Sequence, residues 1–316
     1  MIGLIPTLLT EHAAFAPYRE SLYELLQRIA VMQSNPSLRS GRTVDEGAGW
    51  ARHAHPTSAK HPPQQCSITV GRGCPPYNDY RSGRLANEAS ARPERSEGSD
   101  PKALPTLIPP PARALSAIDF ERRVVEQNEL IVRPNSLHDL MNALVWMTFP
   151  KTKRAISEAH VALGVNKDGK TRPRRRDVLT LFDESGIIIL SENDELRAMN
   201  QQHRWRELFV THRSDFIRQA RPILFGHGAM EQLGGQLPQV HRGLTVKALW
   251  LPLPMTTPVT HLDDYLAQRI HRNESLNEAA RAIPLPVLGL PGWFAENELP
   301  HCYDDETVFR PIRLKI

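Results

Sequence analysis

The side chains best suited to chemistry in this 316-residue chain are His138, Asp139, Asn142, His160, Asp177, Asp183, Glu184, His227 and Glu231. Imidazole with carboxylate is the donor set of zinc, iron, manganese and nickel sites, and it is also the usual pairing for moving protons. Two of the spacings are helical. His138 and Asn142 are four apart, as are His227 and Glu231, so each pair shares one edge of a helix if its segment is helical. The chemistry expected is a small-molecule hydrolase type using a His/carboxylate cluster, with a divalent metal as the cofactor to consider. No HExxH signature accompanies these residues. Ser185, Ser191 and Cys302 lie in no GxSxG-type elbow, which argues against nucleophilic catalysis. No glycine-rich phosphate loop is present, and Gly234-Gly235 reads as a turn. Each candidate also has a structural reading. Asp139 could serve only to cap a helix, His227 between two glycines could be a capping residue, and Asp183-Glu184-Ser185-Gly186 has the composition of a hairpin turn.

A second chemistry is suggested by charge. The window 151–176 holds Lys151, Lys153, Arg154, Lys167, Lys170, Arg172, Arg174, Arg175 and Arg176 against Glu158 and Asp168. It is therefore +7, and with +4 overall the rest of the chain is −3. With Trp146, Phe149 and Trp205 near in sequence, Lys151, Lys153, Arg174, Arg175 and Arg176 form a candidate anion-binding set, for a phosphate or nucleic-acid partner. The reading that follows is a non-enzymatic binding protein. No helix-turn-helix, RNP or zinc-finger pattern supports it, and a solvated basic loop would have the same composition.

These residues must be positioned by a fold, and the pattern predicts its elements. Ser136 is placed to cap a helix, with Asp139 three residues on. Leu137, Leu140, Met141, Leu144 and Val145 give that helix one apolar face. Phe149-Pro150 ends it, and a second helix runs from about Lys151 to Leu163 and stops at Gly164. Val178–Phe182 reads as a strand, Asp183–Gly186 as a turn, and Ile187–Leu190 as the returning strand of a tight hairpin. Further helices are expected at Tyr18–Met32, Phe120–Glu129, Leu196–Met199, Trp205–Ala220 and His261–Arg272. Further strands are expected at Pro222–Gly226, opening onto His227–Leu233, and at Val246–Leu251. The fold class is α+β, mostly helical, with a small mixed or antiparallel sheet containing one tight hairpin. The tail, with Pro291-Gly292-Trp293-Phe294 and Tyr303, reads as a clasp folded on the core, with Asp305 and Arg310 as a possible pair.

Composition divides the chain. From Pro36 to Pro111 there are 12 of the 27 prolines and few Ile, Val or Leu. Such a stretch buries too little apolar surface to offset its ordering entropy. The organisation expected is an N-terminal helical segment (1–35) packing on the main domain, an inserted low-complexity segment (36–110) that contributes little to stability, and one α+β domain (111–316). Of the three cysteines, Cys66 and Cys74 fall in the insert and Cys302 in the tail, with no CxxC pair. A reducing cytoplasm fits that usage. Met1–Phe15 lacks a basic start, and no apolar run is long enough to span a bilayer, so no membrane partner is expected.

Asn135-Ser136-Leu137-His138-Asp139-Leu140-Met141-Asn142-Ala143-Leu144-Val145-Trp146, with Phe149-Pro150-Lys151-Thr152-Lys153 after it, is similar to the bacterial domain-of-unknown-function family numbered 3025. Arg176–Gly186, Phe225-Gly226-His227 with Glu231, Pro284–Trp293, and Tyr303-Asp304-Asp305 to Phe309-Arg310-Pro311 extend the resemblance over roughly residues 115–313, together with the N-terminal helix. Residues 36–110 depart from the pattern. The resemblance implies no activity, cofactor or catalytic residue.

Overall fold

Ile187, Ile188, Ile189 and Leu190 are all inaccessible to solvent. A run of β-branched residues with no polar alternation suits a strand covered on both faces. In the computed structural model it is the strand around which the molecule is built. The structure describes residues 12–34, 104–164, 174–235, 240–272 and 283–312. The insert expected at 36–110 lies outside them up to residue 103, as do Lys167, Lys170 and Arg172 of the basic window.

Six strands are described: β1 (Thr106–Ile108), β2 (Glu129–Ile131), β3 (Gly186–Leu190), β4 (Arg221–Leu224), β5 (Thr245–Leu251) and β6 (Ile283–Pro286). The larger sheet has the order β4-β3-β5-β6, and β1 and β2 form a separate parallel pair. β3 pairs antiparallel with β4, with Ile187 opposite Leu224, and parallel with β5, with Ile187 opposite Ala248. β6 closes the other side antiparallel to β5. Helices dominate the remainder, so the fold is α+β with a small mixed sheet. The described residues all belong to one compact unit.

The tight hairpin is not there. Val178–Phe182 lies inside a helix, Arg174–Ser185, that runs directly into β3. Its buried residues Leu179 and Phe182 are three apart while Leu181 is exposed, which is a helical period and not a strand's. The junction requires Gly186, because a Cβ there would sit 2.4 Å from the Phe182 carbonyl oxygen. Among the described residues, both antiparallel pairs, β3–β4 and β5–β6, are joined through helices instead.

In chain order the longer helices are α1 (Arg19–Ser34), α2 (Ala117–Gln127), α3 (Leu137–Thr148), α4 (Pro150–Leu163), α5 (Arg174–Ser185), α6 (Asp194–Gln201), α7 (Arg213–Gln219), α8 (His227–Gly234) and α9 (Val259–His271). Ser136 caps α3 by accepting from the Asp139 amide at 3.2 Å. Leu140, Met141, Leu144 and Val145 are buried on its apolar face. α4 follows after a single residue, so Phe149, which has no capping atom, must precede it. The cap comes from elsewhere in the chain. Asp263 of α9 accepts from the Lys151 amide at 3.0 Å and the Thr152 amide at 2.7 Å. These satisfy two donors that a helix start leaves open.

α1 presents Leu22, Leu25 and Ile29 to the core, and each such burial is worth up to about 1.5–3 kcal/mol. Just before it, the Tyr18 hydroxyl donates to the Leu224 carbonyl at 2.5 Å, which ties this segment to β4. The tail packs Trp293, Tyr303 and Phe309 into the core. Asn297 Nδ2 donates to the carbonyls of Leu288 and Leu290 at 2.7 Å each. Asp305 and Arg310 do not pair; Asp305 accepts from Thr307, and Arg310 donates to the Thr307 carbonyl. No helix among the described residues is long and apolar enough to cross a membrane.

Candidate active site

The end of α5 and the start of α8 are pressed together by glycines. The amides of Phe225 and Gly226 both donate to the Gly186 carbonyl, at 3.0 and 2.8 Å. A Cβ on Gly226 would lie 2.5 Å from the Ser185 amide nitrogen, and one on Gly228 would lie 2.5 Å from Glu184 Oε2. Only this close approach brings the first residue of α8, His227, between the two acids that end α5. Its Nδ1 is 3.7 Å from Asp183 Oδ2, and its Nε2 is 3.5 Å from Glu184 Oε1. The start of α3 closes the group from a third side. The His138 ring meets the His227 ring edge-on, with centroids 4.6 Å apart, and His138 Nδ1 lies 2.9 Å from Glu231 Oε2. Glu231 is one turn along α8 from His227.

The cluster has a floor and a mouth. His227 is buried, whereas the side chains of His138 and Glu231 are 34% and 41% exposed. Beneath His227, the Lys153 ammonium of α4 donates to Asp183 Oδ1 at 2.5 Å. It also stands over the Trp146 ring at 5.8 Å. Glu121 of α2, hydrogen-bonded with Ser157, lies within the field of this pair.

The surroundings split the protonation states. Burial, reinforced by the charges of Lys153 and His138 against the opposing pull of Asp183, brings the His227 imidazole down to about 3, so the ring is neutral at neutral pH. Burial pushes the Asp183 carboxyl up, but Lys153 first and then His227 outweigh it, and the group is held below the ordinary aspartate range. Burial and the neighbouring Asp183 charge push Glu184 up. Adjacent carboxyls driven in opposite directions are the mark of a site that separates acid from base. Both acids also sit in the last turn of α5, where the helix dipole disfavours negative charge. Lys153 offsets that penalty.

His138, His227 and Glu231 are brought together. Asn142 is one turn along α3 from His138, and its Oδ1 is buried with no hydrogen-bond partner. His160 is buried on α4, and its charge reaches Asp183. Asp139 faces Arg133 instead, accepting from its Nε at 2.8 Å, its Nη2 at 2.7 Å and its amide at 2.8 Å, and so locks the entry to α3. These bonds, together with the Arg133 charge, outweigh the upward push of burial and lower the Asp139 pKa. Asp177 is exposed in the first turn of α5, about 9 Å along the axis from Asp183 at 1.5 Å per residue.

Sequence reasoning missed Lys153, Glu121 and Gly228 as parts of the site. The signal for Lys153 was its spacing from Ile156 and His160, which puts it on the buried side of α4. The other basic candidates are engaged within the chain. Lys151 Nζ donates to Asp264 at 2.5 Å, Arg175 to the Ile270 carbonyl at 3.0 Å, and Arg176 to the Gly164 carbonyl at 2.9 Å. Arg174 begins α5, and its side chain lies outside the described part.

His138, Glu184 and His227 each offer one ligand atom, all within 4.8 Å of one another, so they are the residues able to hold a metal. The whole is an α+β protein with a His/carboxylate centre where two helix starts meet a helix end. The family described as "Protein of unknown function (DUF3025)" matches residues 109–313, and the chain belongs to it. No curated protein and no solved structure matches the chain.

Proposed function

We propose that this protein is a hydrolase-type enzyme acting on a small molecule, with water activated in the cluster of His227, Glu184, His138 and Glu231. The observation that carries this reading is the neutral imidazole of His227 held between an anionic Asp183 and a Glu184 carboxyl pushed up. A neutral imidazole can accept a proton, and burial beside the Asp183 charge makes the Glu184 carboxyl hold its proton more firmly than an ordinary glutamate. Asp183, fixed by Lys153, keeps His227 oriented. His138 and Glu231, half exposed at the mouth, are where a substrate would first meet polar groups. The reaction class is hydrolysis because the cluster holds proton-transfer groups and no nucleophile elbow. The same proposal takes a bacterial cytoplasmic setting, which the cysteine usage, three with no CxxC pair, supports.

A panel of chromogenic esters, phosphoesters, amides and glycosides tests the reading. Turnover of one class is expected, with His227→Gln and Glu184→Gln each reducing kcat/KM at least ~100-fold, the scale of general acid–base catalysis. Turnover that survives both substitutions would overturn it.

A further inference from the structure

We infer that His138, Glu184 and His227 form a three-ligand site for a divalent zinc ion, with a fourth position left for water. This deepens the hydrolase reading and rests on it for the choice of zinc, since hydrolysis needs a Lewis acid without redox chemistry. The donor set is two imidazoles and one carboxylate. Three protein ligands plus water is the arrangement of catalytic zinc, whereas structural zinc is closed by four.

The geometry supports the assignment independently. The three ligand atoms come from α3, the end of α5 and the start of α8, and all lie within 4.8 Å. A tetrahedral ion with bonds of about 2.0–2.1 Å places its ligand atoms roughly 3.3 Å apart, so loading shortens the separations between them by up to about 1.5 Å. Side-chain torsions can supply that without moving the helices. Each imidazole also has a carboxylate against its other nitrogen. Glu231 faces His138 Nδ1 at 2.9 Å, and Asp183 faces His227 Nδ1 at 3.7 Å. Carboxylate–histidine–metal relays fix the tautomer of a ligating ring and raise its basicity. Here they direct Nε2 of both rings toward the ion, and His227 Nε2 already lies 3.5 Å from Glu184 Oε1.

The second observation is an unsatisfied atom. His227 is 4% exposed, yet its Nδ1 makes no hydrogen bond of ordinary geometry, only a weak contact with the Asp183 backbone. Leaving such a group buried is costly, so native proteins rarely do so. An ion on Nε2 would fix the proton on Nδ1 and sharpen it as a donor, drawing Asp183 from 3.7 Å into hydrogen-bond range. Asn142, one turn along α3 from His138, has a buried and unpartnered Oδ1, the kind of acceptor a metal-bound water donates to. Gly228 leaves the space that Glu184 needs to reach the ion.

The test is zinc binding to the full chain, read without reference to activity. Metal-free protein is titrated with zinc chloride by calorimetry, and with cobalt(II) by visible absorption. One equivalent is expected, with the intense cobalt bands of a four-coordinate site. Glu184→Gln and His138→Ala should each weaken binding at least ~100-fold, and Glu231→Gln, which touches only the ring behind the ligand, by ~10–100-fold. His138 is partly exposed, so that variant gives an answer even if changes at His227 impair folding. A circular dichroism melt on each variant establishes that it is folded. Failure of wild-type protein to bind either metal, or binding unchanged in both Glu184→Gln and His138→Ala, overturns the zinc site. Hydrolysis that persists without metal would overturn this inference and leave the hydrolase reading standing; a loaded but inactive site would do the reverse.

Discussion

Replacing Lys153 by Met should be among the most damaging single changes in the molecule, although it exchanges one long chain for another. The Lys153 side chain is 4% exposed and that of Asp183 is 18%, with the ammonium 2.5 Å from Oδ1. The substitution keeps the packing and removes the charge, leaving the carboxylate of Asp183 uncompensated beside Glu184 and Glu121. Breaking a buried pair this way costs about 3–5 kcal/mol, a third or more of a typical folding free energy. With a urea slope of about 2 kcal/mol/M, the midpoint of unfolding should fall by roughly 2 M. The double change Lys153→Met/Asp183→Leu should recover much of the loss, because the pair is then replaced by apolar groups. The coupling energy from the full cycle should be at least ~2 kcal/mol. A cost below ~1 kcal/mol for Lys153→Met, the value of an exposed ion pair, would refute the idea of a water-excluded floor beneath His227.

Other outcomes follow from the same contacts. Gly226→Ala sets a Cβ 2.5 Å from a backbone nitrogen and should lower stability by about 1–3 kcal/mol in urea. Gly228→Ala sets a Cβ 2.5 Å from Glu184 Oε2 and 3.0 Å from the Glu184 carbonyl oxygen, and should weaken zinc binding more than tenfold with a smaller loss in the melt than Gly226→Ala; unchanged binding would show that Glu184 is not a ligand. Asp263→Ala strips two amides at the start of α4 of their acceptor and should cost about 2 kcal/mol by the same denaturation measurement. The Tyr303 phenol, pushed up to about 12 by burial, keeps its proton in the folded state after the unfolded chain has lost it. Its contribution is thus fully present below pH ~10 and lost as pH rises from there to 12, up to about 2–3 kcal/mol. Unfolding curves for Tyr303→Phe should lack that part of the alkaline slope.

What could be read in the sequence was local. The cap at Ser136, the apolar period of α3, the stop at Gly164 and the short strand read at Pro222–Gly226 each rest on residues within one turn of one another, and each has its element there, the strand as Arg221–Leu224. What could not be read was decided at a distance. Asp263 caps a helix more than a hundred residues earlier in the chain, and nothing near Phe149 signals it. The sheet order β4-β3-β5-β6 is set by which faces of the helices need cover. Val178–Phe182 failed for a different reason: five residues do not distinguish a period of 2 from one of 3.6, and Asp183-Glu184-Ser185-Gly186 has a hairpin's composition. Only the pairing of Leu179 with Phe182 on one face, which puts Asp183 beside them, separates the two. The same misreading left Asp183 and Glu184, though named as candidates, without a position. As a turn, Asp183 and Glu184 would point to solvent; as the last turn of α5, they face His227.

The candidate site is also where the chain departs from what stability alone would select. Two acids end α5 against its dipole, a histidine opens α8 between two glycines, and two buried polar atoms, on His227 and Asn142, make no hydrogen bond of ordinary geometry. Each departure costs free energy. A core chosen only for stability would fill this junction with apolar side chains, which are commonly at least as stable as a buried ion pair. The surrounding structure compensates piece by piece. Lys153 answers Asp183, Glu231 answers His138, and the buried faces of β3 and α3 hold the three element ends in register. Asp139 shows the contrast. It lies beside His138 in sequence, yet it is fully bonded to Arg133 and leaves nothing unsatisfied, as a structural residue should. A buried histidine nitrogen without a close partner, set among acids that end a helix against its dipole, is what a site looks like when its remaining partner is a ligand rather than the protein itself.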